Sequence, residues 1–552
     1  MNGLKRLGIF FVALCLLAVP STVKADDTKS AGTDAATIAS ELAKMREALA
    51  DQQKQIALQQ QEIEALRRQA IEQKNASAKS EEQAPRMIDA AMHTSSNPAP
   101  EAAAQPQAAE KPKESPLSLR IGSTDFTPGG FVDLTAFFRT AALGSGIGTN
   151  YGAVPYNNTI AGNMSEVRLT SQTSRLSMKV AGKYGANDMT GYFEMDFLGN
   201  DAANVYVVTN SHTPRVRHFW MDMKRGKWEI LGGQTWSWLT PNRVGSGAMS
   251  TDVFTTLNVD PLFHVGLSLT RAAQFRVVYH PSEKFAFGVA VENPDQYVGA
   301  GEVIYPFAFN AALGSQLDAA NLTTTPNMTP DIIAKTTYDT SFSGRHVHAE
   351  VAGLLTTVKI KIIPVGAFTW APHSKMGGGI EAAANVEIVK NYRVLVNGFY
   401  SDGGGRYLLG LGPDAVIRPV VLGAGFDAIP SLVHSGAGLV GFEGQVTPKT
   451  LVGVYYGGAY FQRNAFIDLT SPLVIKPTIG FGGQNSPNAA NRAIQEGTFD
   501  LTQTFWKNPQ YGALQLVTQV SYVTRAPWYV PAGAPKNAHM VEAYTSLRYI
   551  LP

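Results

Sequence analysis

Four charged residues in two short runs carry the clearest chemical signal in this chain. Arg175 and Lys179 stand on the polar side of one alternating segment, and Glu194 and Asp196 on that of the next. Residues two apart in an extended chain point the same way. Leu176, Met178, Val180 and Tyr184 alternate with Arg175, Ser177, Lys179 and Lys183. After the turn residues Asn187 and Asp188, Met189, Phe193, Met195 and Phe197 alternate with Thr190, Tyr192, Glu194 and Asp196. This pattern predicts a hairpin with one apolar and one charged face. Opposite charges facing one another across a wet lumen would set a transverse field that sorts ions. The alternative is that they are ion-paired neighbours in one wall. Arg217 and Arg276 also sit on polar faces; Phe275, Val277 and Tyr279 occupy the opposite face of the second segment. With Arg175 they make a candidate basic track. A guanidinium holds a carboxylate through two parallel hydrogen bonds and stays charged at any relevant pH.

Other chemistry is weaker. His346, His348 and Glu350 share one face of a strand, which makes a metal site conceivable. Ligands two residues apart on a straight strand lie roughly 6–7 Å from one another, too far for one ion at ~2 Å from each. A polar lumen face is preferred, with no metal and no cofactor expected. The chain contains no Gly-x-Ser-x-Gly, His-Glu-x-x-His or Walker A motif, and no enzyme is expected.

The elements that must hold these residues are strands. From about Leu117 onward glycines and aromatics are frequent and period-two alternation dominates. Val132, Leu134, Ala136 and Phe138 alternate with Asp133, Thr135 and Arg139. Comparable segments fall at 215–223, 227–238, 268–279, 284–292, 345–368, 380–400, 437–461, 496–506, 513–524 and 540–551. A sandwich buries its apolar faces, whereas a porin turns them to lipid and puts charge inside. Alternation alone does not separate the two. Tyr184, Phe197, Trp220, Tyr279, Tyr400, Tyr522 and Tyr549 near segment ends suit interfacial girdles, which favours the barrel. Residues 117–552 have length for about 16 to 18 strands. The chain closes on the aromatic, alternating run Glu542–Leu551, although Pro552 rather than an aromatic residue is last.

The first 116 residues read differently. A basic start at Lys5 and Arg6, the apolar run Leu7–Val19 and the sequence Val23-Lys24-Ala25 form a secretory signal, residues 1–25. The single cysteine, Cys15, lies inside it, so no disulfide or thiolate metal site is expected after cleavage. Residues 26–74 hold a heptad pattern between 38 and 70: Ile38, Leu42, Met45, Leu49, Ile56, Ile63 and Leu66, with Gln52 and Gln59 at d positions. This predicts a coiled-coil helix, a parallel trimer being favoured over a dimer or a solitary helix. Residues 75–116, rich in Ala, Pro, Glu, Gln and Lys, predict a tether without a core. A formal net charge of +2 with no concentrated basic stretch points away from nucleic acid. Mean hydropathy is close to zero, as expected for a barrel in which every second residue faces water.

Several ordered stretches resemble the DcaP-like outer-membrane porins. They are Gln172–Lys179, Tyr192–Gly199, Arg215–Trp220, Leu231–Ser237, Gln274–Tyr279, Val291–Pro294 and Thr545–Tyr549. The resemblance covers most of 117–552. It implies an all-β, transmembrane antiparallel barrel of about 16 strands, assembled as a homotrimer and preceded by a periplasmic α-helical coiled coil. It also implies a passive diffusion channel for small polar or anionic solutes such as dicarboxylates. Residues 239–266, with Gly245, Gly247, Asp252, Asp260 and Pro261, resemble the loop that folds inward to narrow the lumen, an ordinary outer loop being the alternative. The expected surroundings are outer-membrane lipid, with a periplasmic component for the helix left open. The competing class is a secreted or surface-adhesive β-protein trimerised by its N-terminal helix.

Overall fold

The computed structural model describes residues 115–199, 212–299, 301–319, 325–327, 329–484 and 486–552. The expected signal, coiled coil and all of the expected tether but residues 115 and 116 lie outside the described residues.

Sixteen antiparallel strands pair in chain order and close into a ring. The first, Thr124–Arg139, pairs on one side with the last, Ala538–Ile550, setting Leu134 opposite Leu547 and Arg139 opposite Glu542. On its other side lies one wall position built from two pieces, Glu166–Thr170 and Arg175–Tyr184. Closure leaves no row of unpaired backbone groups at a sheet edge. The C-terminal proline does not interfere, because pairing ends at Ile550.

The side chains decide the fold class. Along the first strand Asp133, Thr135 and Arg139 are buried, while Val132, Leu134 and Phe138 are exposed. Exposed Phe287, Val289 and Val291 likewise back onto buried Ala286, Ala290 and Glu292. The charged face is therefore inside and the apolar face outside, the reverse of a sandwich. Of the aromatic residues near segment ends, Tyr184, Tyr400, Tyr522 and Tyr549 face outward. Trp220 does not: it is buried 5.6 Å from the ring of Tyr192. A bulge opposite Glu194 and Met195 is the reason. It puts both Arg217 and His218 inside, and the parity of every later residue in that strand is reversed.

Connections differ at the two ends. Turns at 185–186, 226–227, 343–344, 390–391 and 448–449 are tight, whereas segments 140–165, 237–270, 403–433 and 462–490 at the other end are long. Two of the sequence segments hide such turns. The run 380–400 is split between Ala371–Val389 and Tyr392–Asp402, with Asn391 at φ +72°. The run 437–461 is split into His434–Thr447 and Thr450–Phe461. A further wall strand, Asp331–Phe342, has no counterpart among the expected segments. Among the long connections, Ala415–Leu422 pairs with Gly425–Leu432 as a hairpin outside the ring order.

Candidate functional site: a basic wall and an inward loop

The predicted hairpin forms, Arg175–Tyr184 against Asn187–Asp196, with Ser177 opposite Glu194. Its charges consequently lie side by side on one wall and do not face each other across the lumen. Arg175 Nη1 stands 3.9 Å from Glu194 Oε1. The bulge on the next strand brings Arg217 between both acids, Nε 2.7 Å from Glu194 Oε1 and Nη1 2.9 Å from Asp196 Oδ2. Arg215 grips Asp196 with two parallel bonds of 3.0 and 2.7 Å. Tyr192 donates its hydroxyl to the other oxygen of Glu194 at 2.8 Å. The guanidiniums of Arg217 and Arg271 lie 5.6 and 5.1 Å from the Trp236 ring. Four arginines thus surround two carboxylates, and the cluster carries an excess of two positive charges.

The members of this cluster are not equivalent. Arg217 is 1% exposed and saturated by acids, which makes it a wall cross-link. Arg271 has a buried Nη1 without a hydrogen-bond partner among the described residues. It borders a cavity of about 480 Å³ together with Arg215, Trp236, Tyr297, Arg406 and Tyr407. Lys179 is exposed and is the predicted cation most open to water. Arg276 is 2% exposed, 5.6 Å from the Trp238 ring and 3.9 Å from Glu229, so it sits behind the inward loop. Arg215, Arg271 and Arg406 were not singled out from the sequence. Arg215 opens a quoted motif, but nothing local marks Arg271 or Arg406, whose company is assembled by distant strands and loops.

The segment 237–270 folds into the barrel. It leaves the strand Trp228–Trp236 and is held by inward side chains around the ring. Glu292 accepts from Trp238 N at 2.7 Å, and Glu350 from Asn242 N at 3.1 Å. Lys335 donates to Thr240 O and Asn242 Oδ1. Arg243 crosses to Glu443 with bonds of 2.6 and 2.8 Å. Glu443 stands on His434–Thr447, half-way round the ring from Arg217. Gln519 then accepts from Val259 N and Asp260 N, and Glu496 from Val265 N. The loop returns toward the basic wall through Ser250, 3.4 Å from Glu194. Phe254, Phe263 and Leu267 bury against Leu395, Leu439 and Tyr455, side chains of the far wall. Gly266, at φ +102°, lies so near that wall that a Cβ there would come 2.3 Å from Gly438 O.

The two loop acids have separate roles. Asp252 is half-buried and accepts from Thr251 Oγ1 at 3.1 Å; burial raises its pKa. Asp260 is fully buried and accepts from Thr149 N, Leu262 N and the Tyr544 hydroxyl at 3.1, 2.8 and 3.2 Å. Burial pushes its pKa up to about 6. Asp260 therefore pins the loop, whereas Asp252 remains partly exposed. His348 bridges Asp339 at 2.9 Å and Glu350 at 3.1 Å, the acids that also hold Gly245 N and Asn242 N. The histidine pair noticed in the sequence belongs to the loop's anchorage.

A closed sixteen-strand barrel with inward charge, an outward apolar belt and one connection folded through its middle has porin architecture. No protein-family model matches the chain, and no curated protein does. Solved structures do match. The outer membrane channel DcaP of Acinetobacter baumannii gives a TM-score of 0.52 at 16% identity, over 78% of this chain and 97% of that one. The anion-selective porin of Comamonas acidovorans gives 0.42 at 10% identity, over 77% and 99%. The trimer form of OmpT from Vibrio cholerae gives 0.37 at 11%, over 77% and 99%. The first of these likenesses is in fold, the one the quoted motifs led us to expect.

Proposed function

We propose that this chain is an outer-membrane porin, a passive diffusion channel for small hydrophilic solutes with a preference for anions such as dicarboxylates. The observation that carries the reading is the basic wall. Arg175, Arg215, Arg217 and Arg271 outnumber Glu194 and Asp196 beside the inward loop, and across the ring Glu443 and Glu496 are occupied in holding that loop. Fixed guanidiniums offset part of the hydration an anion loses in a narrow throat. Lys179 and Asp252 complete the lining in this reading, and Glu194 and Asp196 keep the arginines spaced. The exposed apolar belt calls for lipid around it, and lipid is the solvent in which such a face costs nothing to expose. We further propose a homotrimer joined through barrel walls. The N-terminal helix would be an accessory in the periplasm. Removal of residues 26–116 should then leave trimers on a native gel.

The test is conductance. Folded protein added to a planar bilayer should insert in steps of three equal conductances and show an anion-selective zero-current potential in a salt gradient. Absence of conductance in properly folded protein would reject the channel. The adhesive β-protein would then be the reading to pursue.

A further inference from the structure

The outward wall carries two cations seated on tryptophan rings near its long-loop end. The Arg492 guanidinium lies 5.9 Å from the Trp528 ring, and Trp528 meets Tyr460 edge-on at 6.1 Å. Tyr460 is an outward residue, 46% exposed, and the indole of Trp528 is fixed by donating to Phe461 O at 2.9 Å. On another part of the wall Lys361 Nζ lies 5.8 Å from the Trp370 ring, which is 60% exposed. Thr356, Val358, Ile360 and Ile362 are buried, so Lys361 belongs to the outward face. Both Arg492 and Lys361 are exposed, and no carboxylate among the described residues pairs with either.

Their height along the wall follows from strand length. A transmembrane strand crosses the hydrocarbon in about 9–11 residues. The strand bearing Tyr460 starts from its tight turn at Thr450, which brings Tyr460 to the far interface; Arg492 adjoins Ala493, the partner of Tyr460. For the other site the near girdle is the ring pair Phe285 and Tyr338, 4.6 Å apart, with Tyr338 opposite Ala349. The same count from Ala349 ends just short of Lys361. Both cations therefore stand above the apolar belt, at the level of lipid headgroups on the long-loop side.

We propose that Arg492 on Trp528 and Lys361 on Trp370 bind the phosphates of a phosphorylated lipid in the outer leaflet. This rests on the outer-membrane reading above. The complementarity is of charge and shape. A guanidinium offers parallel donors to phosphate, a stacked ring holds a cation without neutralising it, and the belt below accepts acyl chains. An exposed tryptophan at that level suits an interface with one wet side.

The test uses the full chain folded in detergent and two probes, a glycolipid carrying two phosphates and its dephosphorylated form. Native mass spectrometry counts retained lipid. The wild type should keep the phosphorylated form in preference to the other. Arg492→Gln and Lys361→Gln should each lower that retention about five-fold, the worth of one cation at an anionic surface. Arg492→Lys should retain part of it, and heat-modified gel mobility confirms that each variant is folded. Excess inorganic phosphate should leave the lipid bound. Equal retention by the double Gln variant overturns the proposal, and so does release by inorganic phosphate, which would mean a free-anion site. Conductance in phosphatidylcholine bilayers separates the two readings. A wild type that conducts but shows no preference for the phosphorylated form refutes the lipid site alone. Absent conductance in wild type and variants alike refutes the channel.

Discussion

Arg217 and Glu194 meet at 2.7 Å on neighbouring strands, both almost wholly buried, with Asp196 2.9 Å from the same guanidinium. The contact exists because a bulge turns Arg217 inward next to His218. A buried ion pair of this kind stabilises little beyond a well-packed apolar substitute, but a partner left alone is costly. Arg217→Ala should therefore destabilise the barrel by about 3–5 kcal/mol. The shift in urea midpoint of the folded gel band measures it, and a change below about 1 kcal/mol would contradict the burial argument.

Selectivity should reside more in Arg271 than in Arg276. Both have buried guanidinium nitrogens without a hydrogen-bond partner among the described residues, but the first borders the cavity whereas the second is 2% exposed behind Trp238. Arg271→Gln should move the zero-current potential in a salt gradient toward cations, as should Arg175→Ala, with less effect at high salt, where the Debye length is about 3 Å. Arg276→Gln should act only at a distance and shift it less. The reverse order would place the conduction path on the other side of the loop.

The loop's seat should be sensitive at one backbone position. An alanine at Gly266 would collide with Gly438 O and strain a φ of +102°. Gly266→Ala should cost about 1–3 kcal/mol, as overpacked sites do. The displaced loop should make the channel larger or noisier in single-channel records. Unchanged conductance would show that 237–270 does not set the narrowest section.

Acid should tighten the same loop at Asp260, whose pKa burial raises to about 6. An unfolded aspartate titrates near 4. Below that both states hold the proton and no cost arises. As pH rises from about 4 to 6 the unfolded chain releases it first, so stability falls, and above 6 the cost stays constant. Two units correspond to at most about 3 kcal/mol. Asp260→Asn should flatten this part of the stability–pH curve. A curve unchanged by the substitution would assign the dependence to other acids such as Glu542.

Much of the wall was legible in the chain itself. Val132, Leu134 and Phe138 against Asp133, Thr135 and Arg139 fix two faces, since a strand turns alternate residues to opposite sides. The hairpin followed from the same rule, but its bend falls at Gly185 and Ala186, with Gly185 at φ +59°, and the expected turn residues Asn187 and Asp188 pair in the strand with Tyr184 and Lys183. Local pattern also proposed that 239–266 leaves the sheet, because alternation stops there. It did not reveal the turns at Lys390-Asn391 and Pro448-Lys449, although polar turn residues and a proline stand there between the alternating runs. Nor did it reveal the strand Asp331–Phe342. Only the tertiary structure decided which face points outward, because alternation is identical in a sandwich and a barrel and ring closure alone separates inside from outside. It likewise decided that Arg175 and Glu194 are neighbours on one wall, that a bulge reverses Trp220, and that Arg243 reaches Glu443 across the lumen. These depend on register and on contacts some two hundred residues apart in the case of Arg243, which no window of sequence contains.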